Sequence, residues 1–367
     1  MRFVDIYSDI ENTSQVTGER AFIKRAVQRT LDRIGSYDRW EFYLTSGFVT
    51  TVAPYETGTV SATNGSKTIT GSGTTFTSAM VGRKIRVSSD TTYYVIASFT
   101  STTSIELEQA YQGTTASGST YSIFQDEYYL NADVDWRQYF RQVQTGRRLE
   151  ELSPVDFDSF YPAPNAEGDP YVVIPLGRAQ KTYTTGTVTG TSAASVITGS
   201  STDWLNALGV SRGTRIKVGT LTYTVKSVDS ATQVTIYGTL SASFSASAYT
   251  MVIDNQIVQF YPIPDAARNI YYRYGRKAAE ILSDSDEPDL PPENQWMLVR
   301  GGLIEAWSHK GDEERAQSAW AELKQGLNEM RLHRMPATRL YRRYPQSMNT
   351  MIRRPRYPGT FDVSVSA

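Results

Sequence analysis

Cysteine is absent from the 367 residues, which removes disulfides, thiolate nucleophiles and zinc–sulfur sites together. Histidine is nearly absent: His309 and His333 are the two, and without a carboxylate third ligand they make a poor metal site. Both read as basic residues completing helix C-termini. A surplus of charge is missing too, since the net value is −1, so no overall field draws the chain to nucleic acid or membrane. No apolar run approaches the roughly 20 residues that cross a bilayer, and Asp5, Asp9 and Glu11 stand where a secretion signal would be basic and apolar. These absences predict a protein kept in the cytoplasm, or assembled there into something larger. There is no G-x-S-x-G elbow, P-loop or Rossmann glycine pattern.

Carboxylates are the remaining route to catalysis. Glu150-Glu151, Asp156 with Asp158, and Glu167 with Asp169 would suit a glycoside hydrolase, which needs two acids about 5–9 Å apart. They sit among prolines and turn residues, where caps and turn bonds explain acids equally well. The run "SDSDEPD" at 283–289 lacks the glycine and distal glutamate of a calcium loop. The reading therefore assigns no catalytic residue, no metal and no cofactor.

Tyrosine is plentiful, at 24 residues, which points to many half-buried surfaces. The chain is long enough for two or three domains. Its clearest local signal is 288–334, "PDLPPENQWMLVRGGLIEAWSHKGDEERAQSAWAELKQGLNEMRLHR". Trp296, Val299 or Arg300, Leu303 and Trp307 recur at helical spacing, Gly311 stops that helix, and Asp312 caps a second. Trp320, Leu323, Leu327 and Met330 continue the stripe, so an antiparallel helical hairpin is predicted. Gly301-Gly302 inside a helix is tolerable where another backbone packs closely. An earlier helix runs from Thr17 and ends at Gly35, burying Ile23, Val27, Leu31 and Ile34, with Arg20, Lys24, Arg25, Arg29 and Arg33 on its basic face. That helix and the hairpin cannot cover one another alone, which predicts oligomer packing through Trp296, Leu303, Trp307, Trp320, Leu323 and Leu327. The stretch at 40–52, "WEFYLTSGFVTT", reads as a strand hairpin turning at Ser46-Gly47.

At Gly58 the texture becomes rich in Thr, Ser and Gly, alternating over five or six short strands that suit a small barrel or sandwich. The same module returns. Gly58-Thr59-Val60 recurs as Gly186-Thr187-Val188, and Ile69-Thr70-Gly71-Ser72 as Ile197-Thr198-Gly199-Ser200. Phe76 answers to Trp204, Lys84-Ile85-Arg86-Val87 to Arg215-Ile216-Lys217-Val218, Tyr93 and Val95 to Tyr223 and Val225, and Tyr121 to Tyr249. Ordered matches of this kind indicate an internal duplication. The segments at 155–178 and 255–278 give strands broken by Pro-rich turns, the second an antiparallel pair across 262–267.

The expected fold class is therefore α+β: a discontinuous helical-hairpin core with an antiparallel β portion and two duplicated all-β insertion modules. The core takes 1–57, 125–185 and 253–334; the modules take 58–124 and 186–252. A tail at 335–367 has prolines and no apolar period. From Arg331 onward there are eight arginines against one acid, Asp362. Alone it should be extended, gaining order from a partner.

Three stretches together resemble the head-to-tail adaptor (connector) proteins of tailed bacteriophages. They are the first helix followed by "WEFYLTSGFVTT", then "VQFYPIPDAARNIYYRYGRKA" leading to "LSDSDEPDLPPENQWMLVRGGLIEAW", and then "KGDEERAQSAWAELKQGLNEM". The resemblance covers roughly the non-inserted half of the chain; the β modules depart from the simplest adaptors. It implies a structural virion protein of the neck, assembled in the host cytoplasm as a ring of roughly twelve copies closed by head-to-tail contacts. It further implies docking on a portal protein, reception of a downstream tail or nozzle protein, and passage of DNA through the channel without sequence-specific binding or membrane contact. The portal-binding residues would be Arg339, Tyr341, Arg342, Arg343, Tyr344, Arg353, Arg354, Arg356 and Tyr357. Two other readings stay open: a tail-associated adhesin whose modules bind glycan, and a cell-envelope glycoside hydrolase.

Overall fold

Apolar residues three and four apart wind two distant stretches, 3–37 and 296–334, into helices that share one core. The computed structural model describes residues 1–334 apart from 88, 89, 91, 163, 206–208, 282, 283 and 285. The chain divides into a unit made of 1–43 with 278 onward, and a unit made of 44–277. Among the described residues there are five helices: α1 (Phe3–Ser14), α2 (Arg20–Tyr37), the short α3 (Pro154–Phe160), α4 (Trp296–Lys310) and α5 (Glu313–Arg334). All but α3 belong to the first unit.

Its core joins Phe3, Ile6 and Ile10 of α1, Ile23, Val27, Leu31 and Ile34 of α2, Leu298, Leu303 and Ala306 of α4, and Leu323, Leu327 and Met330 of α5. Helix α4 contacts the other three, so its apolar residues go nearly all round and the single face expected for it is too narrow. Gly301 and Gly302 make that centrality possible. A Cβ on Gly301 would stand 2.1 Å from Thr30 of α2, and one on Gly302 would stand 2.3 Å from Ile10 of α1. Gly311 ends α4 in the left-handed region, and Asp312 accepts from the Arg315 amide at 3.2 Å. Lys310 donates to the last carbonyls of α1, Ser14 at 2.7 Å and Gln15 at 2.9 Å. Two expectations fail here. Helix α2 runs through Gly35 to Tyr37, and α1, unforeseen, covers apolar area that the hairpin and α2 would otherwise expose.

The second unit is built of strands. After β1 (Leu44–Thr50) come β2 (Thr59–Ala62), β3 (Thr68–Ser72), β4 (Lys84–Val87), β5 (Tyr94–Ser101), β6 (Ser104–Leu107), β7 (Ala116–Ser119) and β8 (Tyr121–Phe124). Next stand β9 (Glu127–Tyr129), β10 (Val134–Gln142), β11 (Glu150–Glu151), β12 (Glu167–Gly168) and the long β13 (Val172–Tyr183). Then follow β14 (Thr187–Gly190), β15 (Val196–Ser200), β16 (Arg215–Val218), β17 (Leu221–Ser230), β18 (Gln233–Ile236), β19 (Phe244–Ser247), β20 (Tyr249–Tyr261), β21 (Ile263–Pro264) and β22 (Asn269–Arg276).

One sheet runs β7-β2-β3-β6-β5-β4-β8, and β19-β14-β15-β18-β17-β16-β20 repeats that order inside a ten-stranded sheet. Each set encloses its own apolar cluster. The polar anchors repeat as well. Tyr121 donates to the Thr57 carbonyl at 2.6 Å and Tyr249 to that of Thr185 at 2.7 Å. Thr74 and Thr202 donate to the carbonyls of Thr102 and Ala231. The register corrects two equivalences: Ile85 pairs with Tyr94 as Ile216 pairs with Tyr223, so the buried Tyr94 and Ile96, not Tyr93 and Val95, are the counterparts of Tyr223 and Val225, and Tyr93 points outward. A one-residue slip exchanges faces.

At 39 % strand and 25 % helix, the structure overturns the expected helical-hairpin core. The helices have a core of their own, and the strands expected to lie against them make sheets with one another. The ten-stranded sheet continues from β20 to β13, with β9 also on β20 and β11 beyond β13. Strands β20 and β22 do not pair across 262–267. Strand β22 lies between β1 and β10 in a separate three-stranded sheet, whose inner face meets β20 through Phe140, Phe260 and Tyr272. Nor is there a turn at Ser46-Gly47. Gly47 is inside β1, where a Cβ would strike the Tyr272 ring at 2.5 Å.

Gly301→Ala should lower stability by about 1–3 kcal/mol despite the better helix former, because Thr30 has no room to retreat. Gly326→Ala should cost less, since it meets the half-exposed ring of Trp296. Urea unfolding followed by tryptophan fluorescence compares them; equal stability of Gly301→Ala and wild type would refute the tight crossing. A second outcome concerns pH. Burial pushes the phenols of Tyr121, Tyr128, Tyr249, Tyr272 and Tyr274 up. The unfolded chain ionises its tyrosines near pH 10 while the fold keeps these protonated, so stability is flat below that and falls as pH climbs through it. Exposed phenols should ionise first with circular dichroism intact, and the last part of the phenolate absorbance should rise only with its loss; ionisation of all 24 tyrosines in an intact fold would contradict the burial.

Candidate functional site

The basic side chains of α2 are largely engaged within the helical unit. Arg20 pairs with Asp284 and lies 5.1 Å over the Tyr7 ring, and Arg29 holds Glu305 at 2.7 Å. Arg33 stacks 5.2 Å over Trp320, Arg25 donates to the Ala21 carbonyl at 3.2 Å, and Lys24 also has a partner. Of the six residues read as packing between subunits, Leu303, Trp307, Leu323 and Leu327 lie in the unit's own core. Trp296 and Trp320 keep 39 % and 42 % of their surface exposed, which leaves two rings for a neighbour. The expected tail contacts, Arg339, Tyr341, Arg342, Arg343, Tyr344, Arg353, Arg354, Arg356 and Tyr357, lie outside the described residues.

Four of the six acids weighed for catalysis are occupied separately. Glu151 pairs with Arg137 at 3.1 Å, Glu167 with Arg86 at 3.4 Å, and Asp169 with Arg268. Asp156 accepts from Ser153, which caps α3. His309 packs on Phe22 and lies 3.6 Å from Glu19. Among the described residues no group of three His, Cys, Asp or Glu is placed to hold a metal ion, and no helix is long and apolar enough to cross a membrane.

What the strand unit does assemble is a cationic cleft at the roots of its two repeats. About 640 Å³ in volume, it is lined by Phe48 of β1, Tyr128 and Tyr129 of β9, and the cations Arg83, Arg212 and Lys226; no carboxylate lines it among the described residues. The cations at these roots differ in how they are satisfied. Arg212 holds Asp133 at 3.0 Å and donates to the Tyr237 hydroxyl at 3.0 Å. Asp133 also accepts from Tyr274, which in turn accepts from Asn131. Asn255 fastens the same root by donating to the carbonyls of Leu130 and Gly209. In the first repeat the neighbouring Lys84 is buried and holds Asp126 at 3.0 Å and Glu127 at 2.6 Å, with Gln259 donating to Asp126 at 2.8 Å. Its ammonium is held up by those carboxylates against the opposing effect of burial.

Arg83 differs from both. Its Nε is buried without a hydrogen-bond partner, and burial pushes the guanidinium below its ordinary value with only Tyr128 opposing. A half-buried guanidinium without an acid is poised to accept an anionic group, and Phe48 and the tyrosines supply apolar wall beside it. Nothing in the sequence marks Arg83 out, because its isolation is a property of the fold around it.

Residues 173–348 match the family model described as SU10 adaptor protein. The matched stretch spans β13, the second repeat, β20 to β22, and both helices of the hairpin. That match suggests a phage adaptor-type protein. It is consistent with a phage structural adaptor and suggests a structural role. No curated protein matches the chain.

The two cations predict opposite mutational behaviour. Lys84→Met leaves two carboxylates without their cation and should cost about 3 kcal/mol. Arg83→Met removes an unpaired charge and should leave stability level or raise it by up to ~1 kcal/mol. Sulfate should raise the unfolding midpoint of wild type more than that of Arg83→Met. Equal losses in the two variants would show that Arg83 has an acid partner.

Proposed function

We propose that the chain is a head-to-tail adaptor: a structural virion protein that forms a ring below the portal, docks on the portal through its C-terminal tail, receives tail components, and lets DNA pass through the central channel. The observation that carries this reading is the adaptor match across 173–348. In this reading 58–124 and 186–252 are duplicated modules inserted into the adaptor body, which the repeated strand order supports. The ring, of roughly twelve copies, closes by heterologous contacts, one surface of each copy against a different surface of the next. Its apolar contribution comes from Trp296 and Trp320, the two residues of the hairpin stripe left partly exposed.

Docking falls to the tail at 335–367. Its arginines fit carboxylates bidentately, while its tyrosines and prolines suit a shaped protein groove better than a phosphate track. Arg342, Arg343, Arg353 and Arg354 would meet acids of the portal. Truncation after Arg334 should leave circular dichroism unchanged while portal binding falls sharply, and wild-type binding should weaken as salt is raised. Mass photometry with and without portal reads both assembly and docking. A wild type that stays monomeric in both conditions removes the ring, and a truncated chain that joins portals at full affinity removes the tail's role.

A further inference from the structure

The outward face of the sheet β1-β22-β10 gathers aromatic rings and arginines in two adjacent rows. Register sets Phe48 opposite Tyr271, Tyr271 opposite Arg141, and Arg141 opposite Arg148 beyond the turn, one row across the sheet. The next row runs Ser46, Arg273 and Tyr139. The rings of Phe48 and Tyr271 meet edge to face at 5.3 Å. The Arg141 guanidinium lies 5.5 Å over Tyr271, and that of Arg148 lies 5.6 Å over Tyr139. Arg273 donates to the Tyr271 hydroxyl at 2.9 Å. Phe48 is 63 % exposed.

Charge on this face is unbalanced. Arg86, Arg137, Arg178, Arg212 and Arg268 of the same unit each hold a carboxylate. Among the described residues Arg141, Arg148 and Arg273 hold none. Like charges directly opposite one another destabilise a ladder, so Arg141 facing Arg148 is a local cost that an arriving anion would remove. The chemistry favours protein over nucleic acid. Arginine, tyrosine and phenylalanine without lysine is the composition of interface centres. Guanidinium groups already cover faces of both tyrosines, which leaves poor platforms for bases, and a phosphate track has no use for Phe48.

The complementary surface is on this chain. Residues 1–43 and 278–334 carry 19 acids against 13 bases, whereas 44–277 carries 18 of each. Four acids and no base stand between 286 and 293: Asp286, Glu287, Asp289 and Glu293. We propose that the Phe48–Tyr271–Arg141–Arg148 face docks the acidic helical unit of a second copy of the chain, so that copies join strand unit to helical unit. The inference rests on the ring reading and names its contact.

The test uses the full chain with portal present. Arg141→Glu/Arg148→Glu should keep wild-type circular dichroism, since both side chains are exposed, while assembly measured by mass photometry weakens at least about tenfold. Phe48→Ala, which changes no charge, should weaken it less and without altering its salt dependence. Glu287→Lys/Glu293→Lys should also assemble poorly, and mixing it with the arginine double variant should restore mixed oligomers. If wild type assembles and the arginine variant assembles equally well, the face is not the contact and the ring survives. If wild type never assembles, the ring reading itself fails and takes this contact with it. Should the arginine variant assemble normally but lose binding to a DNA duplex, phosphate is the occupant and the proposal is overturned.

Discussion

The antiparallel pairing of β13 with β20 is the constraint on which the strand unit depends. It runs from Val172 opposite Tyr261 to Tyr183 opposite Met251. One end of β20 is the last strand of the second repeat, and the other packs Val258 and Phe260 against the inner face of the three-stranded sheet. A single strand thereby belongs to two cores. Proline inside so long a strand would ordinarily break a ladder, and Pro175 is accommodated by a bulge at Gly177, whose positive φ only glycine adopts readily. The bulge shifts the register by one residue, so the two halves of β13 present their alternation to different neighbours.

The two repeats show what duplication preserves and what it releases. The buried tyrosine at the root, the threonine under the turn and the glycine at the entry (Gly58 and Gly186, each at positive φ against a carbonyl) are kept bond for bond. Those groups close each repeat on itself. The groups joining the repeats to the rest have diverged. Where the second repeat passes unbroken into β20, the first is interrupted after Phe124, and Asp126 at that break is drawn onto buried Lys84. The counterpart of Lys84 is Arg215, and Asp254 instead faces Arg178 at 3.4 Å. A buried ion pair stabilises little over an apolar pair of the same shape, but it penalises every arrangement that separates it. Its place at the broken root suits fixing the orientation of a module that has no continuous strand to fix it.

How much of this was legible follows from the range of each signal. Helices announce themselves within one window, so α2, α4 and α5 could be drawn from spacing alone, as could the Gly311 stop. The repeats were legible because order along a chain survives divergence. Partner choice between strands was not, because alternation says which face is buried and nothing about what buries it. The residues 257–261 and 270–274 alternate equally well as one hairpin or as members of two facing sheets. Gly47 reads as a turn when seen alone and as clearance for Tyr272 once the sheet is present. Helix α4 failed in the opposite way: surrounded on three sides, it has no polar face to set a phase.

Charge carries the same lesson into function. A total of −1 describes none of the parts. Residues 1–43 and 278–334 are acidic, those of the strand unit balanced, and those beyond Arg334 basic, so the average conceals parts of opposite sign. Within the strand unit balance again conceals local excess, since Arg86, Arg137, Arg178, Arg212 and Arg268 are paired with acids while, among the described residues, Arg83, Arg141, Arg147, Arg148 and Arg273 are not. Exposed pairs contribute little, and their number says little about stability. Cations that the fold holds by stacking or burial, without an acid, say more. Their charge has been left uncompensated by the chain, and an outside anion would gain most by meeting it there.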